Sequence, residues 1–264
     1  MPLAVVIPAA PDSPWVEACV ASVRQQTDGT IYVVSDGRPL DDSLATLVTA
    51  PADAGFAQRA NLGLLRALVD GAERALLLND DTLLVPGAID ALQESSAPVC
   101  GAVLEHWDGG VQQAGLDVSM RTARVLARTV VGEDVTVDAV SGAAMCIDLA
   151  LFEKLSGFDS RYHFYFEDID FCLRARARGA RVELVPAARV RHRGGGTRSH
   201  HSNEAAFHLG RSHAMLAREL GGGPGQLLRL MTVASAGSAW TVRSVGFGGI
   251  RSFVRGFAEG VTAA

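Results

Sequence analysis

The stretch Ala75-Leu76-Leu77-Leu78-Asn79-Asp80-Asp81-Thr82 decides how this chain is read: four apolar residues stop abruptly at four side chains that carry oxygen. A short, continuous apolar run suits a strand covered on both faces of a parallel sheet. Two similar runs precede it, Leu3 to Ile7 stopping at Pro8 and Ile31 to Val34 stopping at Ser35-Asp36-Gly37. Between the first two runs, Ser13 is placed to cap a helix with Pro14 at its first position, and Val16, Cys19, Val20 and Val23 recur on one helical face. Between the second and third, Asn61 to Ala72 has helical periodicity. The order β-α-β-α-β predicts a parallel sheet with right-handed crossovers. Ligands of such sheets lie beyond the carboxyl ends of the strands, where Pro8, Asp36 and Asp81 all fall.

Composition narrows the class. Of 264 residues, 48% are apolar and 20% charged, which excludes a disordered or collagen-like chain and suits one large α/β domain with an appended segment. A net charge of -5 argues against nucleic acid as a partner. Cys19, Cys100, Cys146 and Cys172 are scattered, with no Cys-x-x-Cys pair, as expected of a reduced, cytoplasmic protein. Met1 to Pro8 lacks the basic start and cleavage site of a secretory signal. The longest uncharged stretch, Leu230 to Val242, is shorter than the ~20 residues of a membrane-spanning helix.

Beyond about Cys100 the pattern turns to shorter, turn-rich segments. Val137 to Ile147 reads as a strand with Ser141-Gly142 inside it, Leu149 to Leu155 as a helix ended by Gly157, and Arg181 to Val185 as a strand closed by a turn at Pro186. Asn203 to Leu220 reads as a helix, and Gly221-Gly222-Gly223-Pro224-Gly225 as a linker to a separate tail.

Three constellations carry chemistry. At the strand end of Asn79-Asp80-Asp81, one or two carboxylates, Asp81 foremost, can complete the shell of a Mg or Mn ion that also takes donor phosphate oxygens, with Asn79 and Asp80 placed at the nucleotide donor, although Asp80 and Asp81 can simply cap the next turn. Glu167, Asp168 and Asp170 sit ahead of a basic helix, where the helix dipole alone would favour them. Phe164, Phe166 and Phe171 add apolar walls, a setting that raises a carboxylate's pKa and suits proton abstraction. Asp168 and Glu167 are the candidates for that work. Finally, His192 follows a strand-like run and can add an imidazole nitrogen to the same metal, with Arg193 and Arg198 placed to pair with phosphate. His200, His201, His208 and His213 have no such context and read as surface residues.

Taken in order, these residues resemble the inverting family 2 glycosyltransferases of GT-A fold, most closely the bacterial branch of rhamnosyltransferase-like enzymes. The resemblance runs from about residue 3 to 200. It rests on Val5-Val6-Ile7-Pro8, Gly55-Phe56-Ala57 to Asn61-Leu62-Gly63, Leu78-Asn79-Asp80-Asp81-Thr82, Gly157-Phe158-Asp159, Phe166-Glu167-Asp168 and His192. It implies an α/β fold, a GT-A-type Rossmann-like mixed sheet flanked by helices, with a helical C-terminal tail. Residues 1–220 are then the catalytic domain, and residues 221–264 the Gly/Pro linker and an amphipathic helical segment.

The implied activity is transfer of a sugar from a nucleotide-sugar donor, dTDP-rhamnose or a UDP-sugar, to an acceptor hydroxyl on a glycan, lipid-linked intermediate or small natural product. By the same resemblance Asp81 looks like the metal-binding end of an Asp-x-Asp motif, His192 like a further metal ligand, and Asp168 like the base. Asp36 and the turn Pro8 to Ala10 lie where the family grips base and ribose, and Asp53, Arg59 and Asn61 near nucleotide and donor sugar. The sequence departs from the pattern at Ser35, where the family has an acid, at Asn79 in place of Asp, and at Ala9-Ala10-Pro11-Asp12 in place of Thr-Tyr-Asn. Those departures motivate the rival of a sugar-nucleotide binder without catalysis. A nucleotidyltransferase is the other rival, but its Gly-rich basic loop after the first strand is missing here.

The tail from Gln226 sets four Arg against one Glu among Leu227, Leu230, Trp240, Phe247, Phe253 and Phe257. That pattern fits packing on the catalytic domain, a homodimer interface, or contact with the inner face of a membrane.

Overall fold

The computed structural model describes residues 3–10, 12–37, 44–132, 135–194 and 202–263. In chain order the elements are β1 (Ala4–Pro8), α1 (Val16–Arg24), β2 (Ile31–Ser35), β3 (Thr46–Thr49), α2 (Phe56–Val69), β4 (Arg74–Leu78), β5 (Thr82–Leu84), α3 (Ala88–Glu94), β6 (Val99–Glu105), β7 (Val111–Gln113), β8 (Leu116–Val118), β9 (Val125–Ala127), β10 (Ala144–Asp148), α4 (Leu149–Lys154), α5 (Glu167–Ala177), β11 (Val182–His192), α6 (Asn203–Glu219), α7 (Pro224–Ser244) and α8 (Phe247–Thr262). They form two compact units. The first comprises Met1–Asp117, Ala127–Ser160 and Asp168–Thr197, the second Val118–Leu126, Arg161–Glu167 and Arg198–Ala264.

The first unit is built on a mixed sheet ordered β3-β2-β1-β4-β10-β6-β11-β5, with β7 added to β6. Strands β3, β2, β1 and β4 are mutually parallel, while β10 is antiparallel to both β4 and β6. It follows that β2, β1, β4, β6 and β11 all end at one edge of the sheet, where β10 and β5 begin.

One connection dictates the sheet's curvature. Asn79, Asp80 and Asp81 alone link β4 to β5, yet β10, β6 and β11 lie between those strands. In a flat sheet four strand spacings amount to ~19 Å, whereas the four residue steps from Leu78 to Thr82 reach ~14 Å at most. The sheet must therefore curl back on itself, and the register of β11 against β6 shifts between Val185 and Arg189 to allow it. Pro186 falls in that irregularity, where its missing N–H costs no ladder bond. The turn expected at Pro186 is thus a bulge inside one long strand.

Helices α1 and α3 cover one face of the sheet, where Val5, Ile7, Leu76 and Leu78 meet Val16, Val20, Ile89 and Leu92. On the other face α2 lies so close that a side chain at Gly63 would strike Val6 and Val34. Other local expectations need adjusting. Helix α1 begins at Val16, not Pro14, because Ser13 is wholly buried and its Oγ accepts from the Trp15 N–H at 3.3 Å. Helix α2 begins at Phe56, five residues earlier than the periodicity suggested. The segment after Cys100 holds a buried seven-residue strand, β6. Residues 137–143 stay irregular, because Gly142 gives its N–H to Asp168 and not to a ladder partner. The four cysteines are buried and unbridged.

The second unit packs α6, α7 and α8 together. Gly256 and Gly260 of α8 lie against the Phe207 and Arg211 carbonyls of α6, an approach that any side chain would block. Arg229 of α7 is buried and turns its guanidinium onto the Ala217 and Gly221 carbonyls at the end of α6. Helix α6, placed with the catalytic segment by the sequence reading, therefore packs with the tail. His208 and His213 are correspondingly half-buried: His208 stacks on His163 at 5.0 Å, and the His213 ring lies on Phe166 at 4.5 Å. Burial pushes the His213 pKa down. Among the described residues, no helix is long and apolar enough to cross a membrane.

Candidate active site

Of the residues singled out by sequence, Pro8, Asp36, Asn79, Asp80, Asp81 and His192 lie at or just past strand ends along the carboxyl edge of the first unit. Ser35 ends β2 and is buried, with Asp36 exposed just beyond it. Pro8 ends β1, and the chain then turns through Ala9 and Ala10. The Ala10 N–H donates to Asp80 Oδ2 at 3.0 Å, so one acid after β4 is spent on holding the turn after β1. Burial raises the Asp80 pKa, and Asp81 adds to the rise, against the pull of the Ala10 N–H and the Ser13 hydroxyl.

Asp81 is 5% exposed. Its Oδ1 lies 3.4 Å from His192 Nε2, because β5 and β11 pair in a register that sets Thr82 opposite His192. The Arg193 N–H reaches the Asp81 carbonyl at 3.2 Å and fixes the same junction. Gln112 of β7 meets His192 Nδ1 at 2.8 Å. With Nδ1–H donated to the Gln112 oxygen, the Nε2 lone pair is aimed at the space beside Asp81. No spacing rule in the sequence links Gln112 to His192.

Asn79 also belongs here. Its N–H bonds the Ala143 carbonyl at 3.1 Å, while its buried Oδ1 has no hydrogen-bond partner among the described residues. The His192 imidazole and the Asp81 carboxylate, 3.4 Å apart, are donors that suit Mg or Mn. Among the described residues no group of three His, Cys, Asp or Glu converges, so any metal would draw its remaining ligands from elsewhere.

Asp168 reaches the same edge from α5. Its Oδ2 accepts from the Gly142 N–H at 2.8 Å and its Oδ1 from the Ile169 N–H at 2.8 Å. Gly142 adjoins Ala143, which holds Asn79, and Ala144, which pairs with Leu78; the carboxylate is thereby tied to the β4–β10 junction. Burial pushes the Asp168 pKa up despite these bonds. Tyr165 and Phe166, immediately upstream, both take positive φ, 67° and 71°. Two successive side-chain-bearing residues in that region cost ~1–2 kcal/mol each, strain of the kind found at functional sites. Glu167, the first residue of α5, is buried and falls within the second unit. Asp170 is committed to Arg174 at 2.7 Å, and Arg174 also bonds the Leu155 and Gly157 carbonyls.

The other expected donor-binding residues are placed as follows. Arg59 is 6% exposed and gives its guanidinium to the carbonyls of Ala54 (3.0 Å) and Ala9 (3.2 Å), bracing the turn after β1. Asn61 offers both edges of its amide to Phe158, Nδ2 donating to the carbonyl and Oδ1 accepting from the N–H, each at 2.8 Å. Asp53 is exposed in the loop before α2. Arg193 lays its guanidinium over Trp15, 3.8 Å from the ring centroid. Arg198 lies outside the described residues.

Sheet order, the reversed strand β10 between β4 and β6, and the acids at the β4 edge define a GT-A glycosyltransferase fold. Solved structures share it at low identity. GalNAc-T7 with UDP, GalNAc and Mn2+ aligns at TM-score 0.60 and 13% identity, covering 94% of this chain and 57% of that one. The mannosyltransferase PcManGT of Pyrobaculum calidifontis, in complex with GDP-Man and Mn2+, aligns at 0.59 and 16%, covering 99% and 75%. The chain belongs to glycosyltransferase-like family 2, whose model matches residues 2–209, and it is a glycosyltransferase. Protein Rv1525 of Mycobacterium tuberculosis is 28% identical over 221 residues, 81% of this chain and 82% of its own length. Rhamnosyltransferase WbbL of Escherichia coli is 36% identical over 92 residues, 33% of each chain.

Proposed function

We propose that this glycosyltransferase moves a sugar from a nucleoside-diphosphate donor, dTDP-rhamnose or a UDP-sugar, onto an acceptor hydroxyl with inversion at the anomeric carbon. The observation that carries the reading is the Asp168 carboxylate, tied through Gly142 to the β4–β10 junction where the Ala143 carbonyl holds the Asn79 N–H. Asp168 takes the proton of the acceptor hydroxyl as that oxygen attacks the anomeric carbon. The bond from that carbon to the diphosphate breaks on the opposite face, so configuration inverts in one displacement. The Gly142 and Ile169 N–H groups hold the carboxylate in place, and its burial makes it a better proton acceptor than an exposed Asp. Such base assistance is worth ~100 to 10,000-fold in rate.

Asp81 and His192 would hold Mg or Mn, which when bound neutralises charge on the departing diphosphate, with Asn79 beside the donor. Asp36, Pro8 and Ala10 would line the nucleoside, with Asp53, Arg59, Asn61 and Asp80 shaping or bracing that end, Arg193 and Arg198 serving phosphate, and Glu167 adjoining the base. The Mn2+ and nucleotide ligands of GalNAc-T7 and PcManGT support a metal and a nucleotide donor, and WbbL supports rhamnose. The acceptor is a cytoplasmic glycan, lipid-linked intermediate or small natural product. Exposed Leu227, Met231 and Phe247 of the second unit suit either a second copy or the inner membrane face.

A panel of sugar nucleotides with MnCl2 tests the proposal. A donor at 100 times its Kd adds ~2.7 kcal/mol of stability, or ~5–10 °C in melting temperature for a chain of this size. The expected result is such a shift with a dTDP- or UDP-sugar, nucleoside diphosphate release on adding acceptor extract, and a product of opposite anomeric configuration by NMR. No shift with any sugar nucleotide, or retained configuration, would overturn it.

A further inference from the structure

Arg193 comes directly after His192, and its N–H bonds the Asp81 carbonyl at 3.2 Å, so its side chain starts from the junction that holds Asp81. Among the described residues no carboxylate pairs with its guanidinium, whereas Arg189, four residues earlier, pairs with Glu105 at 2.6 Å. The Arg193 guanidinium lies instead over the Trp15 ring, 3.8 Å from the centroid, and 5.1 Å from the centroid of Trp107. The two indoles are 6.4 Å apart at 55°, so the cation fills the corner between them.

Both indoles stand on braced backbone. The Trp15 N–H donates to the buried Ser13 hydroxyl at 3.3 Å, and Ser13 in turn bonds Asp80. Trp107 sits in the hairpin from β6 to β7, closed by bonds of His106 with Gly109 and Gly110, each at 3.0 Å. The cation is thus held between a ring tied to Asp80 and a backbone tied to Asp81. A guanidinium stacked on aromatic faces keeps its in-plane N–H donors for an oxyanion, because stacking and hydrogen bonding use different surfaces of the group. Arg193 is exposed, and an exposed arginine that must order itself around a ligand loses rotamer freedom on binding; holding it in place beforehand removes that cost.

We propose that Trp15 and Trp107 are positioning residues that hold the Arg193 guanidinium ready for the diphosphate of the donor. This rests on the nucleotide-sugar reading above, which gives Arg193 to phosphate and leaves the indoles without a role. The test measures UDP and dTDP affinity by calorimetry in MnCl2. It compares wild type with Trp15→Ala, Trp15→Phe, Trp107→Ala and Arg193→Ala, and with each indole-to-Ala change combined with Arg193→Ala, recording the melting temperature of every protein. Trp107 is 42% exposed, so its variant reports even where Trp15→Ala does not fold.

The expected result is a loss of about tenfold or more for Arg193→Ala, from a charge-assisted bond to phosphate. Each indole-to-Ala change should lose about threefold or more, with Trp15→Phe restoring part of it. In the Arg193→Ala background the same changes should cost less than about twofold, because nothing is left to position. A merely structural indole would weaken binding equally with and without Arg193. Equal losses in both backgrounds, or folded indole variants or an Arg193→Ala protein that bind as wild type does, would overturn the positioning role and leave donor binding standing. A wild-type protein that binds neither nucleotide would overturn the donor reading and this role together.

Discussion

Removing the Asn61 amide separates a structural from a ligand-binding role at a position where the sequence suggested donor contact. Asn61 bridges α2 to the backbone of Phe158, and Phe158 is 2% exposed, so neither its N–H nor its carbonyl meets bulk water. Asn61→Ala deletes both bonds. Each buried group left unsatisfied costs ~1–3 kcal/mol, and with partial rescue by water the sum is ~2–4 kcal/mol. At ~2–4 °C per kcal/mol the melting temperature should drop by ~5–15 °C.

Asn61→Asp provides the internal control, since a carboxylate still accepts from the Phe158 N–H but repels its carbonyl; it should melt between the other two. Thermal unfolding by circular dichroism, with donor affinity measured by calorimetry on the same samples, is the assay. An Asn61→Ala protein that melts with wild type yet binds donor poorly would refute the bridging role.

Gly63→Ala should lower stability by ~1–3 kcal/mol in urea unfolding, because its methyl would run into Val6 and Val34 on β1 and β2. The pH profile of kcat/KM should lose activity on the acid side at a pH above the ordinary Asp range: burial raises the Asp168 pKa, only the ionised form accepts a proton, and activity falls as pH drops through the raised value. His192→Ala should weaken Mn2+ affinity ~10-fold or more in titrations monitored by calorimetry, and Gln112→Ala, which frees the imidazole to rotate, should weaken it less.

The sequence displays what short-range chemistry controls. Apolar runs that stop at Pro8, at Ser35-Asp36 and at Asn79-Asp80-Asp81 mark β1, β2 and β4, and the last two stops mark Asp36 and Asp81, because a doubly covered strand disfavours charge until it leaves the sheet. Asp168 stands out for its aromatic surroundings.

What stays hidden depends on distant partners. Pro186 reads as a turn until the curl of the sheet requires a bulge there. Arg59 and Asn61 look like ligand contacts because they are polar residues at motif positions, yet their hydrogen bonds go to backbone 7 and 97 residues away, among others. Gln112 acquires meaning only once β7 lies beside β6 and β6 beside β11. The grouping of α6 with the tail likewise depends on close helix contacts that glycines permit and that no linker composition signals.

Whether Asp168 is the base is decided by comparing Asp168→Asn with wild type in single-turnover transfer, alongside calorimetric donor binding in MnCl2. The expected variant binds donor within about twofold of wild type and transfers ~100 to 10,000-fold more slowly. An Asp168→Asn enzyme that transfers sugar at the wild-type rate would contradict the assignment of Asp168 as the base.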